Sequence, residues 1–274
     1  MNPILIEEKL KAFLKEDIQF GDLSSMIFTE ETGAMTILAK DSGIFCGAEI
    51  IERGFNILSE TSVELHVKDG EMITHEQTLA VIHGRICDLL QAERTVLNLI
   101  QRMSGIATMT NRYVEAAGGR CQIADTRKTT PGLGMFEKYA VVTGGGSNHR
   151  RSLNDGIMLK DNHIAYAGSI TEAVQRAAPY KGHMDKIEVE IETPDMLEEA
   201  ITAGADIIMF DNCSPEMIKE NISKVPDHIT TEASGGITFE KIDVYSRTGV
   251  DYISVGALFY SAHALDISAE VAYV

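Results

Sequence analysis

"MLEEAITAGADIIMFDN", residues 196–212, and "KIDVYSRTGVDYISVGA", residues 241–257, decide the fold. Each runs a helical stretch into a short turn that carries a glycine and ends in aspartate, then an apolar strand, then polar or glycine residues. The turn glycines are Gly204 and Gly249, and the closing aspartates are Asp206 and Asp251. A helix that stops at glycine and returns as a short apolar strand is the second half of a βα repeat. The repeated half predicts parallel strands, and such sheets, open or closed, carry their ligands at the C-terminal strand ends.

"KIEVEIE", residues 186–192, sharpens that expectation. Strand side chains alternate, so Ile187, Val189 and Ile191 point one way and Glu188, Glu190 and Glu192 the other. In a barrel the apolar set meets the outer helices and the glutamates face the interior. Carboxylates there are costly unless a metal or a cation neutralises them. The alternative is an edge strand with a solvated acidic face. "GIMLKDNH", residues 156–163, alternates in the same way, with Ile157 and Leu159 opposite Met158 and Lys160.

The first hundred residues follow a different grammar. "NPILIEEKLKAFLKED" has a proline suited to a first helical turn and apolar residues at helical spacing. "AMTILAKDSGIFCG" alternates like a strand and turns at Asp41–Gly43, "AEIIERGFNIL" is helical, and "VELHVKDGEMI" and "TLAVIHG" are short strands. "ICDLLQAERTVLNLIQRMS", residues 86–104, predicts a buried or interface helix of about five turns. Glu93, Arg94, Gln101 and Arg102 are the polar residues on that apolar helix, and solvent or a neighbouring site is where they are expected to point.

The chain has 274 residues, a formal net charge of −17, 44% hydrophobic and 24% charged residues, which is the profile of an ordinary globular protein. Its acidity argues against nucleic acid and against an anionic membrane surface. The four cysteines have no paired spacing for zinc or a redox dithiol. The N-terminal residues are acidic where a signal peptide needs bases, and no apolar run approaches the ~20 residues of a membrane helix. A soluble, cytoplasmic protein is the expectation.

Against that background, residues 125–165 gather Arg127, Lys128, Lys138, Arg150, Arg151 and Lys160. Arg127, Lys128, Arg150 and Lys160, with His149, fall at or after predicted strand ends. Arginine forks and lysine point charges converging there imply a ligand with several negative charges. The glycine-rich stretches 143–150, 232–238 and 254–258 can present backbone N–H groups to phosphate oxygens. Glu190 and Asp211, at or near strand ends, suit a shared Mg²⁺ completed by water and substrate phosphate. His163 and His263 read as packing or surface residues. Lys160 or Lys128 acting as a Schiff base in a barrel lyase is a rival reading.

"ERTVLNLIQRMSGIAT", "DTRKTTPGL", "EKYAV", "GGGSNHR", "LKDNHI", "IEVEIE", "DIIMFDN", "EASGGI" and "VDYISVGAL", kept in this order, resemble the quinolinate phosphoribosyltransferases, the decarboxylating nicotinate-nucleotide pyrophosphorylases. The resemblance runs from "EDIQFGDLSS" to "ALDIS". It implies the type II phosphoribosyltransferase fold, an α/β class with an N-terminal α/β sandwich and an incomplete parallel α/β barrel. Residues 1–107 would form the sandwich, rejoined by 267–274, and residues 108–266 the barrel. It further implies a Mg²⁺-dependent reaction of quinolinate with 5-phosphoribosyl-1-pyrophosphate to nicotinate mononucleotide, pyrophosphate and carbon dioxide. Homodimers or larger assemblies with shared active sites are implied as well.

Carried over residue by residue, the resemblance puts Thr126, Arg127, His149, Arg150 and Lys160 around the quinolinate carboxylates, with Arg94 supplied by a neighbouring subunit. Lys128, Ser234, Gly235, Gly236, Val255, Gly256 and Ala257 would bind the phosphoribosyl donor. Glu190 and Asp211 would hold metal or ribose and act with Lys128 in catalysis. The chain departs from the usual pattern at Gly134, where arginine is common, at Arg151–Ser152 in place of Leu–Gly, and at Phe259–Tyr260 in place of Thr–His. A related transferase with another acceptor is the nearest alternative.

Overall fold

A computed structural model describes residues 1–28 and 30–271. Residues 272–274, the end of the segment expected to rejoin the sandwich, lie outside the described residues. The helices are α1 (Pro3–Ile18), α2 (Ala48–Phe55), α3 (Ile86–Ala117), α4 (Gly134–Thr143), α5 (Asp161–Ala167), α6 (Ile170–Ala177), α7 (Pro194–Ala203), α8 (Pro215–Asn221), α9 (Ile242–Ser246) and α10 (Ala257–Tyr260). The strands are β1 (Thr32–Ala39), β2 (Gly43–Ile44), β3 (Ser62–Leu65), β4 (Met72–Ile73), β5 (Thr78–Arg85), β6 (Gln122–Ala124), β7 (Ile157–Leu159), β8 (Ile187–Ile191), β9 (Ile207–Asp211), β10 (Thr230–Ser234), β11 (Tyr252–Ser254) and β12 (Ile267–Val271).

The first packed unit comprises residues 1–111, 135–145 and the chain from Ser261 onward. Its main sheet has the order β12-β1-β5-β3 with antiparallel neighbours, and β12 pairs with β1 from Met35↔Val271 to Ala39↔Ile267. Asn2 caps α1 by accepting the Ile4 N–H at 3.0 Å, and α1 buries Ile6, Leu10 and Leu14 on one face.

Helix α3 does not end at Ser104 as its apolar pattern suggests; it continues for 32 residues. Gly105 looks like a stop but is a contact point, because a Cβ there would lie 1.9 Å from the His263 carbonyl oxygen. Two of the polar residues on α3 are structural instead of solvated. Arg102 donates twice to fully buried Glu137, at 2.8 and 3.1 Å, and once to the Ala262 carbonyl. The Gln101 side chain donates to the Ile267 carbonyl at 2.6 Å, and its backbone carbonyl accepts the Leu265 N–H. Packing divides the chain after residue 111 instead of 107, with all of these contacts inside the first unit. They explain why α4 groups with the first unit: Glu137 answers Arg102, and a Cβ on Gly144 would lie 2.3 Å from the Ala107 oxygen.

The second unit comprises residues 112–134 and 146–260. Its six strands are all parallel, in the order β6-β11-β10-β9-β8-β7. Every strand from β7 to β10 lies beside its successor, and the first, β6, lies beside the last, β11. That circular order belongs to a barrel, with the break between β6 and β7. The repeated turn has a mechanical role. Gly204 and Gly249 take positive φ, and each closing aspartate fastens the neighbouring strand: Asp206 accepts the Ile187 N–H at 2.7 Å, and Asp251 accepts the Thr231 N–H and hydroxyl, both at 2.8 Å. The four cysteines are free, and no helix among the described residues is long and apolar enough to cross a membrane.

Candidate active site

The C-terminal ends of the parallel strands collect most of the residues flagged by the sequence. Asp211, Ser234 and Ser254 close β9, β10 and β11, Thr126, Arg127 and Lys128 follow β6, Lys160 follows β7, and Glu190 is next to last in β8. Along β8 the alternation holds: Ile187, Val189 and Ile191 are buried, and α6 and α7 pack against the strand. The glutamates are graded. Glu188 is 4% exposed, Glu190 is half-buried, and Glu192 lies past the strand end in solvent, so only two of the three expected carboxylates face inward.

One cluster forms around the last two strands. Lys128 lies over Gly256, where a Cβ would meet its Cδ at 2.9 Å. The Ser254 hydroxyl donates to Ser234 at 2.9 Å. Gly235 takes φ +87° and comes so close to Asn212 that a Cβ would lie 2.6 Å from its backbone nitrogen, while Asn212 itself has φ 54°. Asn212 donates to the Asp211 carboxylate at 2.8 Å and its N–H to the Ser234 carbonyl at 2.9 Å. Backbone and small side chains thus gather at the C-terminal ends of β9, β10 and β11, from Asp211 through Gly256.

The second cluster is the ion pair of Lys160 with Glu190. Burial pushes the Glu190 carboxyl up, Lys160 opposes this, and the charges of Asp211 and Glu188 push it further up. Two carboxylates that raise one another's energy by charge offer the oxygen donors that a hard divalent cation takes. Glu190 gives Oε1 to Lys160 and Asp211 gives Oδ2 to Asn212, so each keeps a second oxygen that fits Mg²⁺. The Lys160 side-chain nitrogen is engaged by Glu190, which does not suit the free amine nucleophile of a Schiff-base lyase.

The third cluster joins His149, Arg150 and Glu188, all read from the sequence, to Asp125 and Glu232, which were given no role there. Asp125, fully buried, accepts the His149 N–H at 2.9 Å and the Asn148 amide at 2.7 Å. His149 Nδ1 accepts the Arg150 N–H at 2.8 Å, and its Nε2 lies 3.1 Å from Glu188 Oε2 and 3.7 Å from Glu232 Oε2. The nitrogen that accepts an N–H bears no proton, so Nε2 carries it and points it at Glu188. This trio, mutually within 4.8 Å, is joined by these contacts. Burial, and next the charge of Arg127, lowers the pKa of Arg150, placing the two guanidinium groups in one another's field. Beside this cluster lies a cavity of about 440 Å³, which reaches the starts of β7, β9, β10 and β11. A larger one of about 690 Å³ belongs to the first unit, lined by Glu49, Arg53, His66 and Asp69, and holds none of the flagged residues.

The remaining cations separate. Lys138 is buried within α4, and Arg151 is exposed with its N–H on Asp155. Arg94 belongs to the first unit, with its side chain 64% exposed and Glu93 at 3.8 Å. The glycine run before His149 is not a phosphate loop: Gly144 and Gly145 donate to the Ala140 and Val142 carbonyls, ending α4. Gly134 meets nothing closer than 3.4 Å at its Cβ position, so nothing in the fold demands glycine there. The signal for Asp125 and Glu188 is present in "DTRK" and "KIEVEIE". Glu232 gives none, since its pairing with β8 chemistry depends on the sheet order.

Comparison with known proteins agrees with this arrangement. The quinolinate phosphoribosyl transferase N-terminal domain family matches residues 17–104, and the C-terminal domain family matches residues 106–270. A Bacillus subtilis protein named probable nicotinate-nucleotide pyrophosphorylase [carboxylating] is 53% identical, over 99% of this chain and 95% of its own length. A Dictyostelium discoideum nicotinate-nucleotide pyrophosphorylase [carboxylating] is 37% identical, over 97% and 95%. The crystal structure of NadC from Streptococcus pyogenes superposes with a TM-score of 0.95 at 41% identity, covering 100% of this chain and 99% of that one. With both domain families matched in order, and parallel strands ending on the expected cations and carboxylates, the chain belongs to the quinolinate phosphoribosyltransferase family.

Proposed function

We propose that this enzyme transfers the phosphoribosyl group of 5-phosphoribosyl-1-pyrophosphate to quinolinate, releasing pyrophosphate and carbon dioxide and forming nicotinate mononucleotide for de novo NAD synthesis. The observation that carries the assignment to this chain is the convergence of Arg127, Arg150 and Lys160 near buried carboxylates at one end of the parallel strands. Two guanidinium groups in one another's field are relieved by a dianion, and quinolinate brings two carboxylates for two-point contacts. Thr126 and His149 border the same acceptor pocket, and Arg94 completes it from the neighbouring subunit of a homodimer or larger assembly.

The donor lies along the segment from Asp211 to Ala257. Ser234, Gly235, Gly236, Val255, Gly256 and Ala257 offer hydroxyl and backbone groups to the 5-phosphate, and Lys128 receives the pyrophosphate charge. Glu190 and Asp211 would hold Mg²⁺, which when bound would neutralise charge on the leaving pyrophosphate. As the C1–O bond breaks, the ribose gains oxocarbenium character, and the carboxylates of Glu190 and Asp211 stabilise it. The ring nitrogen of quinolinate attacks C1. The cationic ring nitrogen then stabilises the carbanion left at the neighbouring carbon as carbon dioxide departs, and a proton from solvent takes the vacated position, so that step needs chiefly the positioning supplied by Arg127, Arg150 and Lys160.

The test is product formation by purified protein with quinolinate, donor and Mg²⁺, using nicotinate as control acceptor. Nicotinate mononucleotide and carbon dioxide from quinolinate alone are expected. Turnover of nicotinate, or none with quinolinate while donor still binds, would transfer the assignment to another acceptor.

A further inference from the structure

We propose that Asp125 and Glu188 are positioning residues that lock the His149–Arg150 pair and so aim the Arg150 guanidinium at the acceptor. The inference rests on the acceptor assignment made above and adds two residues that do not touch substrate. Asp125 is fully buried and divides its oxygens, Oδ1 to the His149 N–H and Oδ2 to the Asn148 amide, which fixes the backbone on entry to the pair. Ser147 extends this anchor by bridging in parallel to Ala124 on the outer edge of β6.

The imidazole then acts as a spacer with no freedom to turn. Nδ1 accepts the Arg150 N–H at 2.8 Å, and Nε2 faces Glu188 at 3.1 and 3.3 Å. Flipping the ring would put Cδ2–H against the Arg150 N–H and Cε1–H against Glu188, and moving the proton to Nδ1 would set an N–H against the Arg150 N–H; either change loses the charge-assisted bond to Glu188. The side chain is 13% exposed, so water does not replace either bond at low cost. Arg150 needs such a mount, because burial and Arg127 both disfavour its charge in this place. Glu232 does not substitute for Glu188: at 3.7 Å from Nε2 it is outside hydrogen-bond range.

Two measurements test the lock. In kinetics, Glu188→Leu removes the acceptor for Nε2–H, while Glu188→Gln keeps an oxygen there. The leucine variant is expected to raise the acceptor KM about tenfold or more with the donor KM within about twofold, and the glutamine variant to stay within about threefold of wild type. Equal effects of the two variants, or equal shifts in both KM values, would overturn the proposal. In ¹⁵N-histidine spectra of the wild-type protein, His149, assigned by its loss in His149→Gln, is expected as the Nε2–H tautomer. An Nδ1–H tautomer would overturn the lock even if the leucine variant failed to fold. If the wild-type protein does not turn over quinolinate, the acceptor assignment fails, and the tautomer still decides whether the lock exists.

Discussion

Lys128 crosses the face of Gly256, with its Cδ 2.9 Å from where a Cβ on that glycine would stand and Tyr260 Cε1 at 3.0 Å. Both neighbours are side-chain atoms, so an added methyl is accommodated by moving Lys128 instead of the backbone. Gly256→Ala should therefore fold with Tm within about 3 °C of wild type. It should lose about ten- to a hundredfold in kcat/KM for the donor, since a displaced catalytic charge costs that order. Thermal melts with steady-state kinetics in the donor would check both parts.

Gly235 presents the opposite case. Its φ is +87°, and its Cβ would meet the Asn212 backbone nitrogen at 2.6 Å, which no rotamer change relieves. Gly235→Ala should cost about 1–3 kcal/mol in urea unfolding and weaken donor binding together. Gly236, with φ +59° and nothing within 4 Å, should cost about 1 kcal/mol or less as alanine.

The contrast between those two glycines shows what the sequence could convey. "EASGGI" announces a turn after a strand, and the repeated glycine–aspartate plan announces parallel βα units, because both are local patterns. Which glycine touches a backbone depends on Asn212, a residue of the preceding unit. The same limit hid the Asp125–His149–Glu188 chain and Glu232, whose partners come from different strands. It also hid the length of α3: periodicity marks Gly105 as a weak point, while the His263 carbonyl that makes glycine necessary lies far along the chain. The strand-end cations and carboxylates were legible because alternation and strand ends are short-range features.

Arg150 is the acceptor anchor in the proposed site, so Arg150→Ala should raise the acceptor KM by about a hundredfold while changing donor binding by less than about threefold. Titration of each substrate separately would check this. Equal losses for both would remove Arg150 from its role.

Glu232 is expected to give stability its own pH dependence. Burial first and the charge of Glu188 second push its carboxyl from 4.5 up to about 7, against the opposing pull of His149 and Ser254. Its folded pKa exceeds the unfolded one, so between these values the folded chain keeps a proton that the unfolded chain releases. Stability from this group is therefore complete below the unfolded value of 4.5 and is lost as pH rises through about 7. Glu232→Gln cannot ionise and should flatten that decline: its Tm relative to wild type should be higher at about pH 8 than at about pH 5. A variant-minus-wild-type difference that does not change with pH would show that Glu232 titrates normally.

Arg94 tests the sharing of sites between subunits. Its side chain is 64% exposed and, among the described residues, its ion-pair partner is Glu93 at 3.8 Å, so its charge is presented outward from α3. If it completes a neighbour's pocket, Arg94→Ala and Arg127→Ala damage the same site from two chains. Each variant alone should be nearly inactive. In a mixed dimer one site receives both substitutions and the other receives neither. Random mixing makes about half of the dimers mixed, and one of their two sites is intact, so recovery should approach about one quarter of wild-type activity. Mixed dimers verified by tandem tags and still inactive would mean that Arg94 acts within its own chain or not at all.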